Sequence, residues 1–427
     1  MNRINFALIT ANFCLWISLS TVSLAQPSDA PKPIPGTRSE MLSALEQLKS
    51  RQPRIPLPDA AKSGATVASG AGAATPAVSP TLGVVNNGLM RSHYLPAELQ
   101  TRRTGPGNAN GQEIPYDFAT ELFWIVSRLN NCHYCLGHQE AKLAAVGVDE
   151  TARLALDVDW SVFSAKQQAA FAFTRKLTNS PHAMVDADIA AMRSHFSDAE
   201  ILEIAFLIGR YNSTNRWTDG LGIPQETGRE FSTTLDAAKA QTRSQVLEVE
   251  VPPRIRYADF ASWKAAFDKE MEREPRLLPP SLSTQPSVTH SQLLGAIPAA
   301  GEEWVSQLKA AQAVGKLSKP LRDKIAYVAA RCDDAWYMQG IARERLLSQG
   351  LSEEDVFRLA DNEHPETADE LAIQFAKKLT VNPQGMTDAD VASLKAHFSD
   401  HQIAEIVYHT GLASLLNRVT EVARIRR

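Results

Sequence analysis

Apolar side chains recur every three to four residues along much of this chain, which is the spacing of one buried helix face. Ile201, Ile204 and Ile208 follow this spacing, and Ile403 and Val407 follow it again near the C-terminus. No stretch alternates apolar and polar residues convincingly enough to predict a strand. The pattern therefore predicts an all-α fold.

Polar residues mark the starts of these predicted helices. Ser197 and Glu200 stand three residues apart, the spacing of a capping box, in which each side chain bonds the other residue's backbone. Ser399 and Gln402 repeat the arrangement in the second half of the chain. We therefore expect a capped helix to begin at each serine.

The chain also repeats itself. The segment 186–198 recurs as 388–400, and the segment 173–178 recurs as 375–380, both at a shift of 202 residues. A repeat of this length indicates a duplicated folding unit rather than a short repeated motif. The sequence predicts two tandem helical domains that arose from an internal duplication.

Composition shifts divide the chain into five segments. A length of 427 residues exceeds one average domain, so two or more cores are expected. Two helical domains are predicted at 82–240 and 291–427, joined by a Pro-rich and charged connecting segment at 241–290. The Pro-, Ala- and Ser-rich stretch 26–81 is interpreted as a linker with one possible short helix, and 1–25 as a signal peptide.

The signal-peptide interpretation depends on three features. Arg3 is a short basic start, an apolar run follows, and Ser23-Leu24-Ala25 places small residues at the cleavage positions. A membrane anchor is the alternative, but polar residues dilute the run, and no later segment approaches the ~20 apolar residues of a membrane span. The sequence therefore predicts a secreted or periplasmic protein without a stable membrane span.

Charge excludes one class of partner. The chain has 44 basic and 48 acidic residues and a formal net charge of -4, so no basic surface typical of nucleic-acid binding is expected. Cysteine is scarce, with three residues left after the predicted signal peptide. A chain of this kind is not a domain stabilised by many disulfides.

Two of these cysteines, Cys132 and Cys135, form a Cys-x-x-Cys pair. An apolar run ends at Leu129, and Asn131 is a good N-cap, so Cys132 is expected at the first position of a helix that stops at Gly147. The free N–H groups of a helix start favour thiolate over thiol, and cysteines three residues apart can also form a disulfide. The pair is therefore a candidate redox site.

Other chemistry is possible at this pair. Cys-x-x-Cys-x-x-His offers three zinc ligands, although zinc needs a fourth ligand or water, and the second cluster usual in structural sites is absent. A static disulfide or simple core packing is a further alternative. His138 lies one turn beyond Cys135 and could exchange protons with it, and Glu121 lies within an apolar run, where a carboxylate is costly unless it has a partner.

This segment resembles the alkylhydroperoxidase D-like branch of the carboxymuconolactone decarboxylase family. The matching residues are Glu121, Asn130, Cys132, Tyr134, Cys135, Leu136 and His138. The resemblance implies an all-helical fold and a redox-active disulfide between Cys132 and Cys135, with no other cofactor and no metal. It also implies proton transfer by Glu121 and by a relay residue, which His138 or Gln139 would provide.

The resemblance further implies a thiol oxidoreductase that reduces hydroperoxides, uses an external dithiol as reductant and assembles as a homo-oligomer. Two alternatives stay open at this point. One is a lyase acting on a lactone carboxylate, the other activity of this broad family. The other is a non-enzymatic helical module for binding or assembly.

The second copy lacks the pair. Aligning Cys332 with Cys132 at a shift of 200 residues places Ala335 at the position of Cys135 and Met338 at that of His138. We therefore expect Cys332 at a helix start, as a single thiol, and all redox chemistry in the first copy.

Overall fold

The computed structural model describes residues 30–59, 85–100, 113–285, 287–361 and 364–426. Within these ranges the fold is all-α, as predicted, and contains one isolated β-bridge, between Thr37 and Arg243, but no strand. The predicted signal peptide, the low-complexity part of the predicted linker and most of the loop before Tyr116 lie outside the described residues.

Eighteen helices form this part of the molecule, joined by short 3₁₀ turns. The first ten helices are α1 (Arg38–Gln47), α2 (Asn87–Tyr94), α3 (Tyr116–Leu129), α4 (His133–Ala145), α5 (Glu150–Val158), α6 (Ala165–Asn179), α7 (Asp186–Arg193), α8 (Asp198–Leu221), α9 (Ala237–Ala240) and α10 (Phe260–Met271). Of these, α2 to α9 form the first half of the fold. The second half consists of the other eight, α11 (His290–Gly295), α12 (Gly301–Ala313), α13 (Lys319–Cys332), α14 (Trp336–Ser348), α15 (Glu353–Arg358), α16 (Ala368–Val381), α17 (Asp388–Lys395) and α18 (Asp400–Ala423).

The predicted capping boxes are confirmed. Ser197 accepts a hydrogen bond from the backbone of Glu200 at the start of α8, and the Glu200 carboxylate accepts one from Ser197 in return. Ser399 and Gln402 form the same arrangement at the start of α18. Each box satisfies two N–H groups that a helix start otherwise leaves without partners.

The two 24-residue helices α8 and α18 pack against each other at the centre of the molecule. Two glycines allow their backbones to approach closely. A Cβ atom at Gly209 of α8 would lie 3.0 Å from the carbonyl oxygen of Leu415, and one at Gly411 of α18 would lie 3.0 Å from that of Ser213. The contact joins the two halves through nearly wholly buried helices rather than through a small surface patch.

Buried arginines form reciprocal hydrogen bonds across this contact. The Arg216 guanidinium of α8 donates to the carbonyl oxygen of Thr380 in the second half, over 2.7 Å. The Arg418 guanidinium of α18 donates to the carbonyl oxygen of Thr178 in the first half, over 2.9 Å. Each half thus satisfies a backbone acceptor of the other, so the halves form one folded unit.

Residues 30–59 pack on the first half, so the linker interpretation does not hold for them. Met41 and Leu45 of α1 are fully buried. Arg38 is also buried, and its guanidinium donates to both carboxylate oxygens of Glu140 in α4, over 3.2 and 3.0 Å. A paired, bidentate contact of this kind offsets the desolvation of both charges and fixes the segment against α4.

The connecting segment contains the helix α10. Trp263 and Phe267 are buried, and the indole N–H of Trp263 donates to the Gln339 side chain of α14 over 3.3 Å. The segment therefore packs on the second half. No helix in the described ranges is long and apolar enough to cross a membrane.

Candidate functional site

The Cys-x-x-Cys pair lies at the junction of α3 and α4. Asn131 takes a left-handed conformation with φ of 50°, and the N–H of Cys132 bonds back to the carbonyl oxygen of Ser127 over 2.8 Å. This pattern ends a helix with a residue that tolerates positive φ. Asn131 therefore terminates α3 and does not cap α4. The N-cap of α4 is Cys132, one residue later than expected.

Cys132 uses its sulfur as a capping group. Its Sγ accepts a hydrogen bond from the backbone N–H of Cys135 over 3.4 Å. Both residues are buried, with 0% of Cys132 and 3% of Cys135 exposed. Both are free thiols in this part of the chain. The helix end is as predicted, since Gly147 lies in the left-handed region with φ of 89°.

One hydroxyl group joins the two sulfurs. Thr218, near the C-terminal end of α8, places its Oγ1 3.0 Å from Cys132 Sγ and 3.2 Å from Cys135 Sγ. Thr218 is itself 1% exposed. The pair is therefore held between the start of α4 and the side of α8, and the two sulfurs lie close enough to interact.

Burial dominates the acidity of Cys132. It raises the pKa of this thiol well above its usual range, the neighbouring Cys135 and the Asp219 carboxylate raise it further, and the Lys32 ammonium opposes them. The sequence-based expectation of a thiolate at a helix start omitted this desolvation. In the structure the loss of water around the sulfur outweighs the N–H group that the helix start supplies.

His138 lies one turn beyond Cys135, and both of its ring nitrogens have partners. Nδ1 is 2.9 Å from the carbonyl oxygen of Tyr134, and Nε2 is 3.3 Å from Oε1 of Glu226. The imidazole also packs on the Tyr134 ring, with 4.3 Å between the centroids. Burial lowers the pKa of His138, and the Glu226 carboxylate opposes that effect.

Sequence reasoning missed Glu226. It follows α8 in a segment with no helical periodicity, and no motif singles it out. In the structure its Oε1 also accepts a hydrogen bond from the Tyr134 hydroxyl group, with 3.0 Å between the two oxygens. Burial alone would raise the pKa of Glu226, but the contact with His138, a backbone N–H group and the Arg229 guanidinium together outweigh burial and lower the pKa to about 2. Glu226 is therefore a carboxylate that orients both His138 and Tyr134.

Glu121 lies elsewhere. It is buried in α3, as the apolar run around it suggested, and accepts a hydrogen bond from the Gln167 side chain of α6 over 3.1 Å. Burial raises the pKa of Glu121 to about 7. Among the described residues, no hydrogen bond or ion pair joins Glu121 to either cysteine or to His138.

Gln139, the other candidate for the relay position, contacts the backbone of the pair. Its Nε2 donates to the carbonyl oxygen of Cys135 over 3.1 Å. An amide cannot exchange a proton at ordinary pH, so this side chain can position Cys135 but not relay protons. Of the two candidates for the relay position, only His138 can therefore gain and lose a proton.

A small cavity with room for roughly one water molecule borders the site. Thr218 and His133 line it, together with Asp219 of the first half and three basic residues of the N-terminal segment, whereas the second half contributes Pro383 and Met386. The Lys32 ammonium donates to Oδ1 of Asp219 over 2.6 Å, while Oδ2 of this buried carboxylate has no partner among the described residues. The cavity is thus a polar pocket on the side of Thr218 and Asp219.

The second half has a matching helix junction between α13 and α14, without cysteines at the corresponding places. Asp334 takes the left-handed conformation with φ of 48°, and Ala335 is the N-cap of α14. By this geometry Ala335 corresponds to Cys132 and Met338 to Cys135, so the alignment expected from sequence is wrong by three residues. The Glu421 carboxylate accepts a hydrogen bond of 2.9 Å from the backbone N–H of Trp336, so this helix start already has an acidic partner.

Cys332 lies at the end of a helix, whereas the sequence predicted it at a helix start. It is the last residue of α13, where the free carbonyl groups disfavour a thiolate, and not the start of a helix. Burial raises the pKa of Cys332 to about 12, and Asp333 contributes in the same direction. Cys332 is therefore an unreactive thiol at neutral pH.

Within the described ranges, no group of three or more His, Cys, Asp and Glu side chains is arranged to hold a metal ion. No protein-family model matches this chain, and a comparison with curated proteins finds no matching relative.

Proposed function

We propose that this protein is an exported thiol–disulfide oxidoreductase that reduces hydroperoxides through Cys132 and Cys135. The observation that carries the proposal is the contact of both sulfurs with one Thr218 oxygen, at 3.0 and 3.2 Å, at the start of α4. Two thiols held together in this way can form a disulfide without rearrangement of the helices. The resemblance of this segment to the alkylhydroperoxidase D-like branch supplies the peroxide as substrate class.

The reaction proceeds in three steps. One thiolate attacks an oxygen of the hydroperoxide, so that an S–O bond forms, the O–O bond breaks, and the alcohol leaves with a proton. The second thiol then attacks the sulfenic sulfur, so that the S–S bond forms and water leaves. Finally, an external dithiol reduces the Cys132–Cys135 disulfide and is itself oxidised.

We assign the proton transfer to His138, oriented by Glu226. The His138 side chain is 20% exposed, so it can exchange protons with solvent, and it lies on the same helix as the pair. Glu226 holds Nε2 and keeps the imidazole against Tyr134. In this proposal no proton passes through Glu121, whose partner is Gln167.

We further propose that the chain arose by duplication and that its second half is a packing partner. The reciprocal contacts of Arg216 with Thr380 and of Arg418 with Thr178 support this origin, because both residues and acceptors repeat at a shift of 202. Ala335 and Met338 leave the second junction without a thiol at either of the corresponding positions. The redox chemistry then belongs to the first half alone.

The test is thiol titration. The reduced protein is incubated with hydrogen peroxide or an alkyl hydroperoxide, and mass spectrometry of peptides maps the remaining thiols. We expect loss of Cys132 and Cys135 together as an intramolecular disulfide, with Cys332 retained. Cys132→Ser and Cys135→Ser should each prevent the disulfide. Retention of both thiols after exposure to every peroxide would reject the proposal.

The burial of both cysteines favours a second candidate function, a non-enzymatic helical module in which the two side chains only pack in the core. Cys132 is fully buried and the pKa of its thiol is raised, as in inert structural cysteines. A replacement of both cysteines by alanine distinguishes the candidates. The packing role predicts lower stability with no lost activity, whereas the redox role predicts lost peroxide reduction.

A further inference from the structure

Thr218 is in contact with both sulfurs and with two backbone acceptors. Its Oγ1 lies 3.0 Å from Cys132 Sγ and 3.2 Å from Cys135 Sγ. The same atom lies 3.2 Å from the carbonyl oxygen of Thr214 and 3.1 Å from that of Asn215. A threonine hydroxyl group has one hydrogen to donate and two lone pairs that accept hydrogen bonds. It can therefore donate a hydrogen bond to only one of these four neighbouring atoms at a time.

The protonation state of the pair decides how that hydrogen is used. While both cysteines are thiols, each S–H can donate to Oγ1, and the hydroxyl hydrogen goes to a carbonyl oxygen of the preceding turn. A thiolate can only accept. When one thiol loses its proton, the hydroxyl group must therefore rotate and donate to that sulfur for the contact to stay favourable.

This rotation of the hydroxyl group costs little free energy, and the hydrogen bond that it forms to the thiolate is strong. The carbonyl oxygens of Thr214 and Asn215 lie within α8, where the helix's own N–H groups bond them as well. A hydrogen bond to an ionised group is roughly twice as strong as a neutral one. Since the sulfurs are almost excluded from water, Thr218 is one of the few donors that can reach the developing charge.

We propose that Thr218 is a catalytic residue of the Cys132–Cys135 pair, whose hydroxyl group donates to whichever sulfur becomes the thiolate. The inference rests on the proposed redox function and adds a residue to it. Other charges act on the pair from neighbouring elements: Lys32 of the N-terminal segment, Asp219 of α8 and Arg91 of α2. Of these, none is hydrogen bonded to a sulfur in the described residues, whereas Thr218 contacts both.

The second half supplies a matched control. Thr420 of α18 occupies the position that corresponds to Thr218, and its hydroxyl group lies 2.8 Å from the carbonyl oxygen of Leu416 and 3.3 Å from that of Asn417. It has the same backbone contacts but, within the described ranges, no hydrogen bond to a sulfur. Removal of this hydroxyl group therefore measures the structural contribution of threonine in these helices without the redox contribution.

The experiment compares Thr218→Ser with Thr218→Ala in the full chain carrying Cys332→Ser. Both variants lack the methyl group, and they differ only in the hydroxyl group. The ultraviolet absorbance of thiolate, followed against pH, reports the pKa of the pair without any need for a reagent to reach the buried sulfurs. Thr420→Ser and Thr420→Ala are measured in parallel, and circular dichroism checks that each variant is folded.

We expect Thr218→Ser to keep the thiol titration of the parent, and Thr218→Ala to shift it upward by about one pH unit, because one charge-assisted hydrogen bond is lost. Disulfide formation with hydrogen peroxide at neutral pH should slow by about tenfold in Thr218→Ala alone. The two Thr420 variants should match the parent. Equal titration curves for Thr218→Ser and Thr218→Ala would overturn the role of Thr218.

The thiol titration and the rate of disulfide formation test the role of Thr218 and the proposed redox function separately. Titration of the thiols requires no peroxide, so it tests Thr218 even if the protein reduces none. A parent protein that keeps its thiols in peroxide would reject the proposed function. A peroxide-active parent with a normal titration in Thr218→Ala would reject Thr218 and leave the function standing.

Discussion

The carboxylate of Glu226 faces the imidazole of His138, with 3.3 Å between Oε1 and Nε2. Glu226 follows α8, whereas His138 lies on α4, so the contact also fixes the segment after α8 against the helix of the cysteine pair. It joins a histidine one turn beyond Cys135 with a carboxylate that is 88 residues away in the chain. The consequences for stability and for proton transfer can be measured separately.

Glu226→Gln should lower stability most near neutral pH. The ordinary pKa of this carboxyl group is 4.5, and it is about 2 in the folded protein, where His138, a backbone N–H group and Arg229 together outweigh the effect of burial. A depressed pKa stabilises the fold above pH 4.5, and this contribution disappears as the pH falls toward 2. We expect a loss of about 2 kcal/mol at neutral pH that shrinks on acidification.

Urea unfolding at several pH values measures this loss. The exposed neighbour Glu230 provides the control, since Glu230→Gln should change little at any pH. The same Glu226→Gln variant should lower the pKa of His138 further, which an NMR titration of the imidazole would show. A Glu226→Gln penalty that stays constant from neutral pH to pH 2 would contradict the depressed pKa of Glu226.

Glu121→Gln should have the opposite dependence on pH and little effect on the chemistry. Burial raises the pKa of Glu121 from 4.5 to about 7, so the unfolded chain releases its proton earlier than the folded protein does. The contribution of the protonated group is fully present below pH 4.5 and is lost as the pH rises through about 7. Relative to the parent, Glu121→Gln should therefore gain about 1–2 kcal/mol over that range.

The rate of disulfide formation with peroxide checks the other half of this prediction. Because the partner of Glu121 is Gln167, we expect a rate within about twofold of the parent. A folded Glu121→Gln variant that no longer forms the disulfide would make Glu121 the proton acceptor, as the family resemblance implies, in place of His138.

Gly209→Ala and Gly411→Ala should each destabilise the contact of α8 with α18. The new Cβ atom would lie 3.0 Å from the Leu415 carbonyl oxygen in the first variant, and 2.8 Å from Oγ of Ser213 in the second. Overpacking of this kind costs about 1–3 kcal/mol. Thermal unfolding measures the loss, and Gly228→Ala is the control because a Cβ there meets nothing within 4 Å. Equal melting temperatures for all three would contradict close backbone packing.

Cys332→Ser should leave peroxide-driven oxidation of the pair within about twofold of the parent. Cys332 ends α13, and burial raises the pKa of its thiol to about 12, so it is neither a nucleophile nor a resolving partner at neutral pH. Cys135→Ser, in contrast, should abolish dithiol-dependent turnover. If Cys332→Ser removed turnover as completely as Cys135→Ser, a disulfide relay between the halves would replace the present assignment.

The sequence predicted the helices of this fold well because their signals are local. Apolar spacing places one face of α8 and of α18 in the core, and the serines at 197 and 399 start both helices through bonds within a single turn. Gly147 ends α4 for the same kind of reason, since only a residue free of a Cβ adopts φ of 89° without strain. Each signal involves residues only a few positions apart.

The helix junction shows where local signals become ambiguous. Asn131 suits both an N-cap and a left-handed helix end, and its side chain alone does not decide between them. The structure uses it as the end of α3, which moves the cap to Cys132. The alignment of the two halves was displaced for a different reason, because matching Cys332 with Cys132 compared residue types rather than helix ends.

By itself, then, the sequence determined the all-α class, the capped helices and the presence of one cysteine pair at a helix junction. Only the tertiary structure decided which groups surround that pair. Thr218 is 86 residues from Cys132 in the chain, and Glu226 is 88 residues from His138. It also decided that burial, and not the helix start, controls the acidity of Cys132. Desolvation and long-range contacts depend on how the helices pack, and no spacing within one helix encodes them.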